Sequence, residues 1–100
     1  MDLHGIPAIV TGGASGLGAG AARALAKGGA RVAIFDMNMD GAREVADDIG
    51  GLAVECNVVD AASGETAVAT ARDAHGAAGI CINCAGVGTA GLIVGRDGPM

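Results

Sequence analysis

Three groups of residues have types and spacings that could do chemistry. The first is Thr11-Gly12-Gly13-Ala14-Ser15-Gly16-Leu17-Gly18, which follows the apolar pair Ile9-Val10. Glycines at 12, 16 and 18 suit a turn that leaves a strand sharply, lets an anion approach the backbone and starts a helix packed close to a sheet. N–H groups at such a helix start attract an anion with the help of the helix dipole, and Ser15 adds a hydroxyl donor. The second is Asp36, which ends the run Arg31-Val32-Ala33-Ile34-Phe35-Asp36. A carboxylate about 20 residues past a glycine turn, on a second strand lying beside the first, reaches the hydroxyls of an adenosine ribose. It also repels a 2′-phosphate, and neither Met37 nor the residues before Gly16 supply an Arg or Lys to accept one. Taken alone, each group has a plain reading, a tight turn and a strand-end Asp capping a loop. Together they point to NAD rather than NADP.

The third group is Cys81-Ile82-Asn83-Cys84, a CxxC spacing. A redox pair needs Cys84 near a helix start, and a zinc site needs a second pair of ligands. Only Cys56, His4 and His75 remain for that purpose, so the thiols read as small apolar side chains and no metal is expected. An odd number of cysteines suits a reducing compartment.

The elements that must position these groups follow from the apolar pattern. Short apolar runs alternate with Ala-rich helical stretches, in a βαβαβαβ order that implies a mostly parallel sheet. Strands are expected at 8–11, 31–36, 52–56 and 80–83. A first helix at 16–27 places Leu17, Ala21, Ala24 and Leu25 at helical spacing and ends at Gly28-Gly29. A second at 40–49 carries Ala42, Val45, Ala46 and Ile49 on one face and closes at Gly50-Gly51. A third, capped by Asp60, runs to about 74, where His75-Gly76 resembles a helix end with a left-handed cap. Right-handed crossovers give strand order 3-2-1-4, with a switch point between the carboxyl ends of strands 1 and 4 where a ligand binds.

Composition excludes other classes. The chain has 100 residues, a net charge of −5 and six dispersed basic residues, so it offers no basic surface to nucleic acid. Its single aromatic residue is Phe35, so the core must be built from small aliphatic side chains. Two stretches, 3–22 and 76–95, lack Asp, Glu, Lys and Arg, but glycines break both, and they read as buried strands entering loops rather than membrane spans. No basic segment precedes an apolar run at the start, so a cytoplasmic location is expected.

The glycine turn, Asp36 and Asn83-Cys84-Ala85-Gly86 together resemble the short-chain dehydrogenase/reductase family over nearly the whole sequence. The resemblance implies the incomplete front of a Rossmann-like α/β doubly wound sheet, with residues 1–100 as the NAD-binding, amino-terminal part of a longer single-domain enzyme. It assigns cofactor contacts to Gly12, Ser15, Gly16, Leu17 and Gly18 of the turn, to Asp36, and to Cys84, Ala85 and Gly86. Where the family has an Asp-Val pair to read the adenine, this sequence has Asn57-Val58, whose amide oxygen still accepts a hydrogen bond. The Asn-Cys-Ala-Gly form and the segment 87–100 resemble the branch of type-2 3-hydroxyacyl-CoA dehydrogenases. Reversible hydride transfer between NAD and the hydroxyl of a small-molecule secondary alcohol, or of a 3-hydroxyacyl-CoA, is thereby implied, as is assembly into a dimer or tetramer. The family's Ser and Tyr-x-x-x-Lys lie outside these residues, and the sequence has no tyrosine, so no catalytic residue is assigned. A nucleotide-binding module without catalysis of its own is the alternative.

Overall fold

The computed structural model describes residues 3–14, 16–57 and 60–84. Seven elements follow in order: β1 (Pro7–Thr11), α1 (Gly16–Lys27), β2 (Arg31–Asp36), α2 (Met39–Ile49), β3 (Leu52–Glu55), α3 (Ala61–His75) and β4 (Ile80–Asn83). The strands form one sheet in the order β3-β2-β1-β4. All three pairings are parallel, with Thr11 level with Phe35 on one side and with Asn83 on the other. The order and direction expected from the sequence are those observed.

Alternation along the strands divides the core between two faces of the sheet. On one face Ala8, Val10, Val32 and Ile34 meet Ala19 and Ala22 of α1 and Ala42, Val45 and Ala46 of α2. On the other, Ile9, Ala33, Phe35, Val54 and Cys56 meet Ala67 and Ala71 of α3. Helices on both faces are what continuous apolar strands require, since a parallel sheet has no face to spare for water. Phe35, fully buried, is the largest side chain in this core; full burial of such a ring contributes about 2–3 kcal/mol.

Helix ends are set by local chemistry. The Asn38 side chain caps α2 by accepting from Gly41 N–H at 3.1 Å, and Gly50 closes it in the left-handed conformation, donating to the Ala46 carbonyl. Asp60 caps α3 by accepting from the N–H groups of Ala62 and Ser63. At the far end of α3, Gly76 has φ +102° and ψ 176°, which lies outside the left-handed helical region expected for it. It still donates to the Arg72 carbonyl at 2.8 Å.

The buried face of α1 differs from expectation. Leu17 is 77% exposed, and the buried residues are Gly18, Ala19 and Ala22, with Leu25 and Ala26 packed against them. The helix approaches the sheet through its smallest side chains, so the bulkier Leu17 in its first turn is left outside.

Candidate functional site

The site is assembled at the carboxyl ends of β1, β2, β3 and β4, where the chain leaves each strand. After Thr11 the backbone turns at Gly12, whose φ of +71° is one that side chains disfavour. Gly12 N–H still continues the ladder, donating to the Phe35 carbonyl at 2.8 Å. The first turn of α1 then presses onto this corner: a Cβ at Gly18 would collide with the Gly12 carbonyl oxygen, and it would also lie 2.9 Å from Gly13 Cα. A Cβ at Gly16, by contrast, would meet nothing within 4 Å among the described residues. Gly18 is therefore a packing requirement of the fold, and Gly16 leaves open space on the outward side of the turn. Gly13 is also constrained, since a Cβ there would run into the Ile34 side chain.

Asp36 is joined directly to this turn. One carboxylate oxygen accepts from Ala14 N–H at 3.0 Å, and the other accepts from Asn38 N–H at 2.9 Å. The Cys56 N–H donates to the Asp36 carbonyl at 3.2 Å, which brings the end of β3 to the same rim. Asn57 follows there, its own N–H donating to Ser63 Oγ at 2.9 Å in the first turn of α3.

On the other side of β1, the buried Thr11 hydroxyl donates to Asn83 Oδ1 at 2.7 Å. Cys84 N–H donates to the Thr11 carbonyl at 2.9 Å. These two bonds tie Asn83 and Cys84, the last described residues, to the start of the glycine turn. Of the residues expected here, Gly12, Gly16, Leu17, Gly18, Asp36, Asn57 and Cys84 are thus placed along the rim. Ser15, Val58, Ala85 and Gly86 lie outside the described residues. Thr11, Gly13 and Ala14, which belong to the glycine stretch but were given no contact of their own, and Asn38 complete the arrangement; Ala14 and Asn38 act on Asp36 through backbone N–H groups, for which a sequence carries no signal.

The helix starts differ in charge. α2 begins with its Asn38 cap and with Asp40 in the first turn, and α3 with its Asp60 cap, whereas α1 has no acidic residue in its first turn. The start of α1 therefore carries no acidic side chain of its own against its positive end.

The three cysteines are free thiols. Burial pushes the Cys56 thiol up, with the Ser63 hydroxyl acting against this and Asp60 adding to it. It is held in its unreactive protonated form as a core side chain. Among the described residues no group of three His, Cys, Asp or Glu side chains could hold a metal ion, and no helix is long and apolar enough to cross a membrane.

A parallel sheet in the order 3-2-1-4, flanked by helices on both faces and with a glycine turn off its first strand, defines the Rossmann-like class of α/β proteins. Within that class the chain belongs to the short chain dehydrogenase family, whose model matches residues 7–96. It is 42% identical over 90 residues to the D-threitol dehydrogenase of Mycolicibacterium smegmatis, an alignment spanning 85% of this chain and 35% of that protein. It is 40% identical over 84 residues to the 3-hydroxyacyl-CoA dehydrogenase type-2 of Drosophila melanogaster, covering 82% and 33%. Among solved structures it is similar to a 3-ketoacyl-(acyl-carrier-protein) reductase from Brucella melitensis complexed with NADH. There the TM-score is 0.77 at 39% identity, over 80% of this chain and 34% of that one. The chain spans about a third of the length of these relatives.

Proposed function

We propose that residues 1–100 form the NAD-binding, amino-terminal part of an oxidoreductase acting on a small-molecule secondary alcohol or its ketone. Asp36 carries the reading. Its carboxylate lies on the rim next to the glycine turn, hydrogen-bonded to Ala14 N–H, where it can accept from ribose hydroxyls and oppose a 2′-phosphate.

The residues fit a dinucleotide. The open outward side of Gly16 and the positive start of α1 suit a pyrophosphate, with Ser15, Leu17 and Gly18 beside it. Asn57 and Val58 would face the adenine, and Cys84, Ala85 and Gly86 the nicotinamide half. NAD supplies a hydride acceptor at its nicotinamide ring, and this chain's part is to bind and orient it. The general acid/base belongs to the family's Tyr-x-x-x-Lys, which these 100 residues do not contain.

A 3-hydroxyacyl-CoA is the substrate class favoured by the Asn83-Cys84-Ala85-Gly86 turn, with a homo-oligomer in the reducing cytoplasm as the working form. The test is a fluorescence titration of the intact protein with NADH and NADPH. NADH is expected to bind much more tightly than NADPH, and Asp36→Ala to weaken NADH by about tenfold or more while narrowing the difference. Equal binding of the two cofactors by the unaltered protein would refute the assignment.

A further inference from the structure

Asp36 makes contacts that ribose reading does not require. Its two oxygens hold two backbone donors from different elements, Ala14 N–H in the glycine turn and Asn38 N–H at the entry to α2. Asn38 in turn caps α2 through Gly41 N–H. A Cβ on Gly41 would lie 2.7 Å from Asn38 Nδ2 and 3.1 Å from Ala14 Cβ, so the first turn of α2 sits directly against the glycine turn. The carboxylate is the polar pin between them.

We infer that Asp36 is a positioning residue for the phosphate turn: by holding Ala14 N–H and Asn38 N–H together it sets the turn in the shape that receives the pyrophosphate. This rests on the proposed reading of the turn as a pyrophosphate site. A carboxylate has about four lone-pair positions, and two are used here. Among the described residues one position stays open on each oxygen, enough for two neighbouring ribose hydroxyls without releasing either backbone bond. Pinning the turn and reading the ribose are compatible in one side chain.

The sign of one measurement separates this role from the alternatives. A carboxylate that acted only as a nearby charge would repel a phosphate, and its neutralisation would tighten phosphate binding. A carboxylate that only read the adenosine ribose would leave a ligand without that ribose unaffected. A positioning carboxylate gives the opposite sign to the first and a non-zero effect against the second, because Asp36→Asn replaces one accepting oxygen by an NH2 that cannot accept.

The probe is reduced nicotinamide mononucleotide, which carries a phosphate and no adenosine. In the intact protein, Asp36→Asn is expected to weaken its binding by about tenfold, as well as that of NADH. Unchanged or tighter binding of the mononucleotide would overturn the inference. A second measurement needs no variant. In the ligand-free protein, with alanine 15N-labelled and aspartate 13C-labelled, the Ala14 amide resonance is expected to move with pH at the same midpoint as the Asp36 carboxyl carbon. An Ala14 amide indifferent to Asp36 ionisation would also overturn the inference. Failure of the nicotinamide reading itself shows elsewhere, as absence of NADH binding by the unaltered protein.

Discussion

The two ends of the strands are built from different materials. At the amino ends the main chain closes largely on itself, with the Arg31 side chain adding one bond to the Ala74 carbonyl at 3.4 Å. Leu3 N–H donates to the Gly28 carbonyl, Gly5 N–H to Gly29, Arg31 N–H to Ile6 and Gly79 N–H to Pro7, at 2.8 to 2.9 Å. At the carboxyl ends the backbone bonds of Gly12 to Phe35, Cys56 to Asp36 and Cys84 to Thr11 are joined by side-chain ones: Asp36 to Ala14 and Asn38, Thr11 to Asn83, and Ser63 to Asn57. An end closed mainly by backbone accepts many sequences, whereas an end that side chains also close depends on particular residues and keeps polar atoms at the rim. Substitutions at the carboxyl ends should therefore register in ligand binding, and those at the amino ends in stability alone.

The sharpest way to break that division is Gly18→Val. The added side chain meets the Gly12 backbone, which cannot move without moving β1. A loss of about 3 kcal/mol or more is expected in urea unfolding. An unchanged midpoint would mean that α1 is not seated as described. Gly16→Val is the counterpart, because its side chain enters open space. Stability should shift by less than about 1 kcal/mol, while NADH affinity falls by about a hundredfold as bonds to the phosphates, worth about 1.5–3 kcal/mol each, are lost. Normal NADH titration of this variant would remove the pyrophosphate from the turn.

Thr11→Val keeps the shape of a buried side chain and removes the hydroxyl that Asn83 accepts from. A cost of about 1–2 kcal/mol is expected by denaturation, together with weaker NADH binding, since the link between β1 and β4 borders the crevice.

The smallest effect concerns the amino end. His75 has a buried Nδ1 with no hydrogen-bond partner among the described residues, in a cleft with Pro7, Ile9, Val68 and Ala71. Burial lowers its imidazole below the ordinary range, the Arg31 charge adds to this, and the nearby Arg31 backbone opposes it. The unfolded chain therefore takes up a proton more readily than the folded one. Stability contributed by His75 is full above about pH 6.5 and falls as pH drops through that value toward its lower folded one. His75→Gln should flatten this part of the pH dependence of the urea midpoint and leave NADH affinity at pH 7 unaltered. A change in affinity would contradict the separation of the two ends.

Much of the fold was legible because local chemistry and global topology agree. The bounds of α1, β2 and β4 match those read from the apolar runs, and β1, α2, β3 and α3 differ by a residue or so at an end. Asn38 and Asp60 cap the helices that they precede, and Gly50 closes one as its type suggests. The misreading at Leu17 has a definite origin. Periodicity ranks residues by hydrophobicity, but α1 is held so close to the sheet that Gly18, Ala19 and Ala22 form its buried face. Spacing also placed Asp36 at the rim. It could not reveal the bond to Ala14, because the donor is a main-chain group, nor that of Thr11 to Asn83, because the partner lies 72 residues away.

That last separation bears on how the protein comes into being. The Ala14–Asp36 bond spans 22 residues and the Thr11–Asn83 bond spans 72. Closing the longer loop costs about 1 kcal/mol more in chain entropy, and non-local pairing slows folding. During synthesis, β1, β2 and β3 can pair while the fourth strand is still to be made, so the Asp36 side of the rim is complete before the Asn83 side exists. The crevice is therefore assembled one side at a time, and the edge along β1 stays an open strand edge until β4 arrives to occupy it.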